Sequence, residues 1–333
     1  MKGIITVMTL AGITACGGLA KTAPRTRTFH FEYKAFVKDL GTGGRHVELW
    51  APVPHDDEYQ KITNLRVDSS YSYNVVTAAL GNTMLHAAVN DPKSALTVTI
   101  SFDAARMEHI QSRLAGGPPL ARDENPKELA QYLKPDRLVP LDDQIRAWAR
   151  EVVQKANART DLEMARAIYN HVVSTVKYDK TGKGWGRGDI YYACEERRGN
   201  CTDFHAIFIG YARAMGIPAR FAIGFPLPGD RGEGKITGYH CWAEFYAKGI
   251  GWVPVDASEA AKNPAKREYF FGAHDENRIE LSKGRDVTLG PRQKGDGLNY
   301  FVYPYAEMDG KTVETGYEVA YRDLGVTRTP ALQ

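Results

Sequence analysis

Three residues in the second half of the chain have the types and spacing of a nucleophilic catalytic set: Cys201, His240 and Asp256. Cys201 opens a predicted helix, because Phe204, Ile207, Phe208, Tyr211, Ala212 and Met215 recur three or four residues apart until Gly216, with Pro218 just beyond. A thiol placed there meets free backbone N–H groups and the positive end of the helix dipole. Both favour thiolate and lower a pKa that starts near about 8.5. Downstream, Tyr239 to Tyr246 and Trp252 to Asp256 read as strands joined by Gly249-Ile250-Gly251, an antiparallel hairpin. His240 begins the first strand and Asp256 ends the second. An imidazole and the carboxylate that orients it therefore fall side by side at one end of a sheet. Such a set suits acyl transfer, in which the thiolate attacks an amide carbonyl and the imidazolium protonates the leaving amine.

The elements that must hold this set are also legible. Asp142-Asp143 cap a helix whose apolar face is Ile145, Trp148, Ala149, Val152, Val153 and Ala156. Thr160-Asp161-Leu162-Glu163 has the capping-box form for a second helix with Ala165, Ile168, Tyr169, Val172 and Val176 on its buried stripe. Earlier in the chain the period is two: Phe29, Phe31, Tyr33, Ala35 and Val37, then Val47, Leu49 and Ala51, then Leu96, Val98, Ile100 and Phe102. The organisation expected is α+β: residues 27–110 as a β-sandwich, 111–136 as a linker, 137–290 as a catalytic domain and 291–333 as a C-terminal β extension. Residues 1–26 read as a signal peptide and tether, since the apolar run after Met1-Lys2 is too short to span a bilayer. Its end, Ile13-Thr14-Ala15-Cys16, resembles the bacterial lipobox, making Cys16 a candidate lipidation site. That implies an exported protein, periplasmic or membrane-anchored.

Composition narrows the remaining classes. Lys and Arg number 43 against 40 Asp and Glu, a net charge of +3 with no basic cluster, so nucleic acid is not an expected partner. The Gly182–Gly188 stretch lacks both GxGxxG and a Walker Lys-Ser/Thr and reads as an ordinary loop. His55-Asp56-Asp57-Glu58 and His274-Asp275-Glu276-Asn277 contain metal-ligand types without ligand spacing, and read as solvated turns. No metal and no cofactor is expected. Cys241 follows His240 on a strand and should point to the opposite face, into the core. Cys194 reads as a structural thiol in a loop, His205 as a locally bonded residue, Asp203 as first-turn helix stabilisation and Glu244 as a carboxylate supporting the site.

Three blocks together carry a family resemblance. They are Gly199-Asn200-Cys201-Thr202-Asp203-Phe204-His205 with its continuation to Arg220, His240-Cys241-Trp242-Ala243-Glu244, and Gly251-Trp252-Val253-Pro254-Val255-Asp256-Ala257-Ser258. Their order and content resemble the transglutaminase-like superfamily over roughly residues 140 to 275. The resemblance implies a papain-like core and a Cys-His-Asp triad carried by Cys201, His240 and Asp256. For the oxyanion, the Cys201 N–H is the first donor. The family often adds an upstream side chain, for which Trp185, Tyr191 and Tyr192 are candidates and Tyr192 is preferred. The expected activity is thioester-mediated cleavage of a peptide or protein amide. Transfer to an amine, as in protein crosslinking, and a non-catalytic interaction role on the same fold are the alternatives.

Overall fold

The computed structural model describes residues 23–37, 40, 45–92 and 95–325. Cys16 and the leader lie outside these residues. Among them, no helix is long and apolar enough to cross a membrane.

The period-2 segments form two five-stranded antiparallel sheets. Thr26–Val37 sits centrally in the first, flanked by Leu96–Met107 and Gly316–Asp323, with Gln60–Ser69 and Glu233–Lys235 at the edges. Its alternation is that of the sequence: Phe29, Phe31, Ala35 and Val37 are fully buried while Thr28, Glu32 and Thr26 face solvent. The second sheet runs Lys311–Val313, Tyr305–Met308, His46–Val53, Thr83–Asn90, Asn74–Thr77. Both faces of His46–Val53 are buried, because Trp50 and Met84 turn away from the main core to pack with Val287, Leu289 and Phe301.

Neither sheet is made by the N-terminal region alone. The C-terminal segment, set apart in the sequence as a β extension, supplies Gly316–Asp323 to the first sheet, pairing Phe31 with Tyr321 and Tyr33 with Val319. It also supplies Tyr305–Met308 to the second, beside Val47 to Trp50. Glu233–Lys235, from within the catalytic segment, closes the first sheet's edge on Gly316–Asp323. These strands cover edges that would otherwise present unpaired backbone groups.

The core is a four-stranded antiparallel sheet, Gly251–Val255, His240–Ala247, Ala219–Pro226, Arg278–Lys283, with the helix Cys201–Ala214 packed on it. Every residue from Cys201 to Arg213 is buried, so this helix is enclosed on all sides. Phe204 and Phe208 are fully buried, each contributing about 1.5–3 kcal/mol from removal of apolar surface from water. The expected helices surround it. Asp143–Lys155 is capped by the Asp142 side chain on the Ile145 N–H at 3.1 Å. Asp161–Thr175 carries the Thr160–Glu163 capping box. Gly224 lies where a Cβ would overlap the Ile279 carbonyl oxygen, which lets strand Arg278–Lys283 approach across a register shift at Ile223/Gly224.

Candidate active site

The helix start is built by short-range chemistry. Asn200 caps it, its side chain accepting from the Thr202 N–H at 3.0 Å, and the Asp203 carboxylate reaches back to the Asn200 N–H at 2.9 Å. Asp203 does more than stabilise the first turn: it also accepts from the backbone N–H groups of Gly186 (2.7 Å) and Gly188 (3.0 Å). The Gly-rich loop is thus pinned to the nucleophile helix. Gly199, just before the cap, has φ +153°, and a Cβ there would overlap the same carboxylate. Glycine is required on both counts.

The hairpin then brings the remaining groups together. His240 Nε2 lies 2.7 Å from Asp256 Oδ2, and Cys201 hydrogen-bonds the same imidazole. Asp256 is fully buried, with its carboxylate held by four donors. Oδ2 accepts from Arg278 Nη1 at 3.1 Å as well as from His240. Oδ1 accepts from Ser258 Oγ at 3.1 Å and the Glu259 N–H at 3.0 Å. Burial opposes ionisation of Asp256, but the charge and hydrogen bond of His240 and the charge of Arg278 keep it well below the usual carboxylate range. Burial likewise disfavours imidazolium, yet the Asp256 charge and hydrogen bond, with Cys201, push His240 up to about 10. Cys201 moves the other way: burial would raise it, and hydrogen bonds from Cys241 and His240 with the His240 charge hold it well below the ordinary thiol. Both shifts favour a thiolate beside an imidazolium, and the carboxylate braces the imidazole from behind. Cys201 is 1% exposed and His240 6%, so the nucleophile lies at an enclosed base and not on an open surface.

Three residues beside the triad behave differently from their sequence reading. Cys241 does turn to the face opposite His240, but that face carries the nucleophile helix, so the Cys241 thiol meets Cys201 instead of apolar packing alone. His205 explains its orientation. Its Nε2 accepts from the Ala257 N–H at 3.2 Å, which places the ring proton on Nδ1, 3.6 Å from Cys241 Sγ. Cys241 can then spend its own proton on the Cys201 thiolate. Glu244, expected to support the triad, points away from Cys201; it pairs with Arg220 and lies 3.4 Å from His109 Nδ1. Arg278 had no signal in the sequence, because it reaches Asp256 from a strand that pairs in the sheet with neither hairpin strand.

Other candidates separate clearly. Tyr191 is taken up by Asp142, and Trp185 stacks under Lys180 at 6.0 Å. The Tyr192 ring lies against Gly184, with its hydroxyl buried and without a hydrogen-bond partner among the described residues. The tyrosines that feel the Cys201 charge are Tyr178, Tyr239, Tyr300 and Tyr303, all raised first by burial and further by that thiolate. Tyr239 also anchors the cap, its hydroxyl accepting from Asn200 Nδ2 at 2.9 Å. Cys194 lies on the helix Ile190–Glu196 and not in a loop; its sulfur is 3.3 Å from the Tyr211 hydroxyl, and burial raises it to about 11. His55 to Glu58 form a turn region, where Asp56 accepts from the Ile62 N–H at 2.7 Å. His274 does not fit the solvated-turn reading: it is fully buried, on a two-residue strand paired with His109.

Comparison with known proteins agrees with the fold. Residues 146–257 match the family model described as the transglutaminase-like superfamily, and through this core the chain is a member of that superfamily. An uncharacterized protein of Haemophilus influenzae is 27% identical over 355 aligned residues, covering 93% of this chain and 95% of that protein. The uncharacterized protein YebA of Bacillus subtilis is 21% identical over 70% of this chain but only 38% of its own length. Among solved structures, a protein from Cytophaga hutchinsonii described as a "putative cysteine protease" superposes with a TM-score of 0.61 at 17% identity, over 93% of this chain and 94% of that one. The shared feature is the fold: antiparallel β-sheets with a transglutaminase-like core.

Proposed function

We propose that the protein is a thiol acyl hydrolase acting on peptide or protein amides. Cys201 attacks the carbonyl, His240 gives its proton to the leaving amine, and Asp256 holds the imidazolium in place. The tetrahedral oxyanion is met by the Cys201 N–H at the helix start. Water, activated by the now neutral His240, then releases the acid from the thioester. The observation that carries this reading is the geometry around Asp256. Its carboxylate, itself held by Arg278, Ser258 and Glu259, lies 2.7 Å from His240 and so favours an imidazolium beside a thiolate.

Water is the proposed acceptor because Cys201 is enclosed. An amine competes with water only where a site raises its effective concentration. Export and anchoring through Cys16 complete the proposal, placing the enzyme at a membrane surface. The deciding experiment acylates the purified enzyme with a peptide library, traps the thioester on Cys201 by mass spectrometry, and adds a labelled primary amine. Free acid as the main product is expected. Predominant amide product would replace hydrolysis by transfer, and absence of any acyl adduct would remove the enzymatic reading.

A further inference from the structure

We propose that His109, Glu244 and His274 form a site for one divalent transition-metal ion of the zinc type, fastening the N-terminal β region to the catalytic sheet. The three residues come from distant parts of the chain, yet one ligand atom of each lies within 4.8 Å of the others. His109 is on the short strand His109–Ile110 and is the direct register partner of His274 on Ala273–His274. Glu244 comes from the strand His240–Ala247, on the face turned away from the nucleophile helix. Phe245, on the other face, packs against Phe208 of that helix at a ring separation of 6.0 Å.

The second observation is the state of His274. It is 0% exposed, and neither ring nitrogen has a hydrogen-bond partner among the described residues. The ring is nevertheless fixed, edge-on to His109 (5.9 Å, 89°) and to Trp242 (5.9 Å, 65°). A buried imidazole with both nitrogens unbonded is unfavourable, and a metal ion would satisfy the nitrogen that faces His109 and Glu244. The other two ligands are oriented as well. Tyr59 stacks on His109 at 3.6 Å, and Arg220 occupies one carboxylate oxygen of Glu244, leaving Oε1 toward His109. The 3.4 Å between His109 Nδ1 and Glu244 Oε1 is close to the edge of a tetrahedral set with bonds of about 2.0–2.1 Å.

The donor set selects the ion. Two imidazoles and one carboxylate suit zinc and its transition-metal neighbours, whereas calcium and magnesium require shells rich in oxygen. Arg220, the cation bonded to Glu244, also disfavours an ion held by charge alone. Arg278, over Trp242, is already paired with Asp256 and Asp275. The role is structural. The ion joins a strand that leaves the first β-sheet to the strand that bears His240.

The test uses the native chain and a Cys201→Ser/Cys241→Ser form, which removes the nucleophile and the neighbouring thiol as competing ligands. Each is loaded with Zn2+, dialysed against metal-free buffer, and assayed by elemental mass spectrometry and thermal unfolding; Co2+ loading adds a visible spectrum. The expected result is a single ion per chain in both forms, a raised Tm, and affinity lowered by at least about tenfold in His274→Ala and in His109→Gln. Circular dichroism establishes whether each variant is folded. Substoichiometric metal with no Tm shift in the native chain overturns the proposal, whatever the variants do. Metal lost on removing the thiols, or retained undiminished in both histidine variants, overturns it equally.

Discussion

His240 Nε2 lies 2.7 Å from Asp256 Oδ2, which leaves Nδ1 as the nitrogen available to Cys201. The carboxylate therefore acts on the nucleophile only through the ring, by setting its orientation and its charge. Asp256→Asn keeps the shape and removes the charge. The expected result is a fall in kcat well beyond tenfold, equivalent to more than about 1.4 kcal/mol in the barrier, with the fold retained. A smaller loss in steady-state peptide cleavage would mean that another group orients His240.

Thiol reactivity follows from the same charges. Cys201 is held low by Cys241 and His240 against burial, whereas burial raises Cys194 to about 11 and takes Cys241 well above the ordinary range. Iodoacetamide is expected to label Cys201 first, at a rate that stays level as pH falls below the ordinary thiol range. Peptide mapping after brief exposure reads this directly, and earlier labelling of Cys194 would contradict it.

Stability should show a plateau with two shoulders. Raised to about 10, His240 contributes stability that is complete below its unfolded value near 6.5 and is lost as pH climbs through about 10. Cys201 has the opposite sign: its contribution is complete above the unfolded thiol value of 9.0 and is lost as pH falls through its depressed folded value. Between 6.5 and 9.0 the two slopes cancel, because the native pair holds on histidine the proton it lacks on cysteine. The urea midpoint of the native chain, compared with Cys201→Ser across pH 5 to about 11, is expected to separate these arms.

Cys241→Ala removes one donor to the Cys201 thiolate and leaves His240 untouched. A hydrogen bond to a charged group is worth about 1.5 kcal/mol or more, so the midpoint of the Cys201 alkylation profile should rise by about one pH unit. Turnover should fall at low pH and recover at high pH. A loss independent of pH would assign Cys241 to packing.

Gly199→Ala places a methyl group into the Asp203 carboxylate at a backbone φ of +153°. The expected cost is about 1–3 kcal/mol from the backbone alone, with a further loss as the cap and the Gly186–Gly188 loop detach. Both Tm and kcat should drop. An unchanged Tm would show that Asp203 moves aside freely.

The sequence by itself determined the local parts of this protein. The three-and-four spacing from Phe204 to Met215 sets the helix and puts Cys201 at its start, and Thr160 with Glu163 forms the capping box expected of them. The hairpin spacing sets His240 and Asp256 at one end of one sheet. Each of these depends on groups within one or two turns or across one tight connection, so periodicity and caps suffice. Tertiary structure decided what those elements face. Alternation correctly turned Cys241 away from His240, but only packing shows that the nucleophile helix covers that side. Arg278 reaches Asp256 from a strand that pairs with neither hairpin strand, while the C-terminal strands that complete both β-sheets and the burial of His274 against His109 are pairings between segments far apart in the chain. Period and propensity fix which side chains share a face. The partner that covers that face is chosen by the burial of the whole chain, and no local pattern carries it.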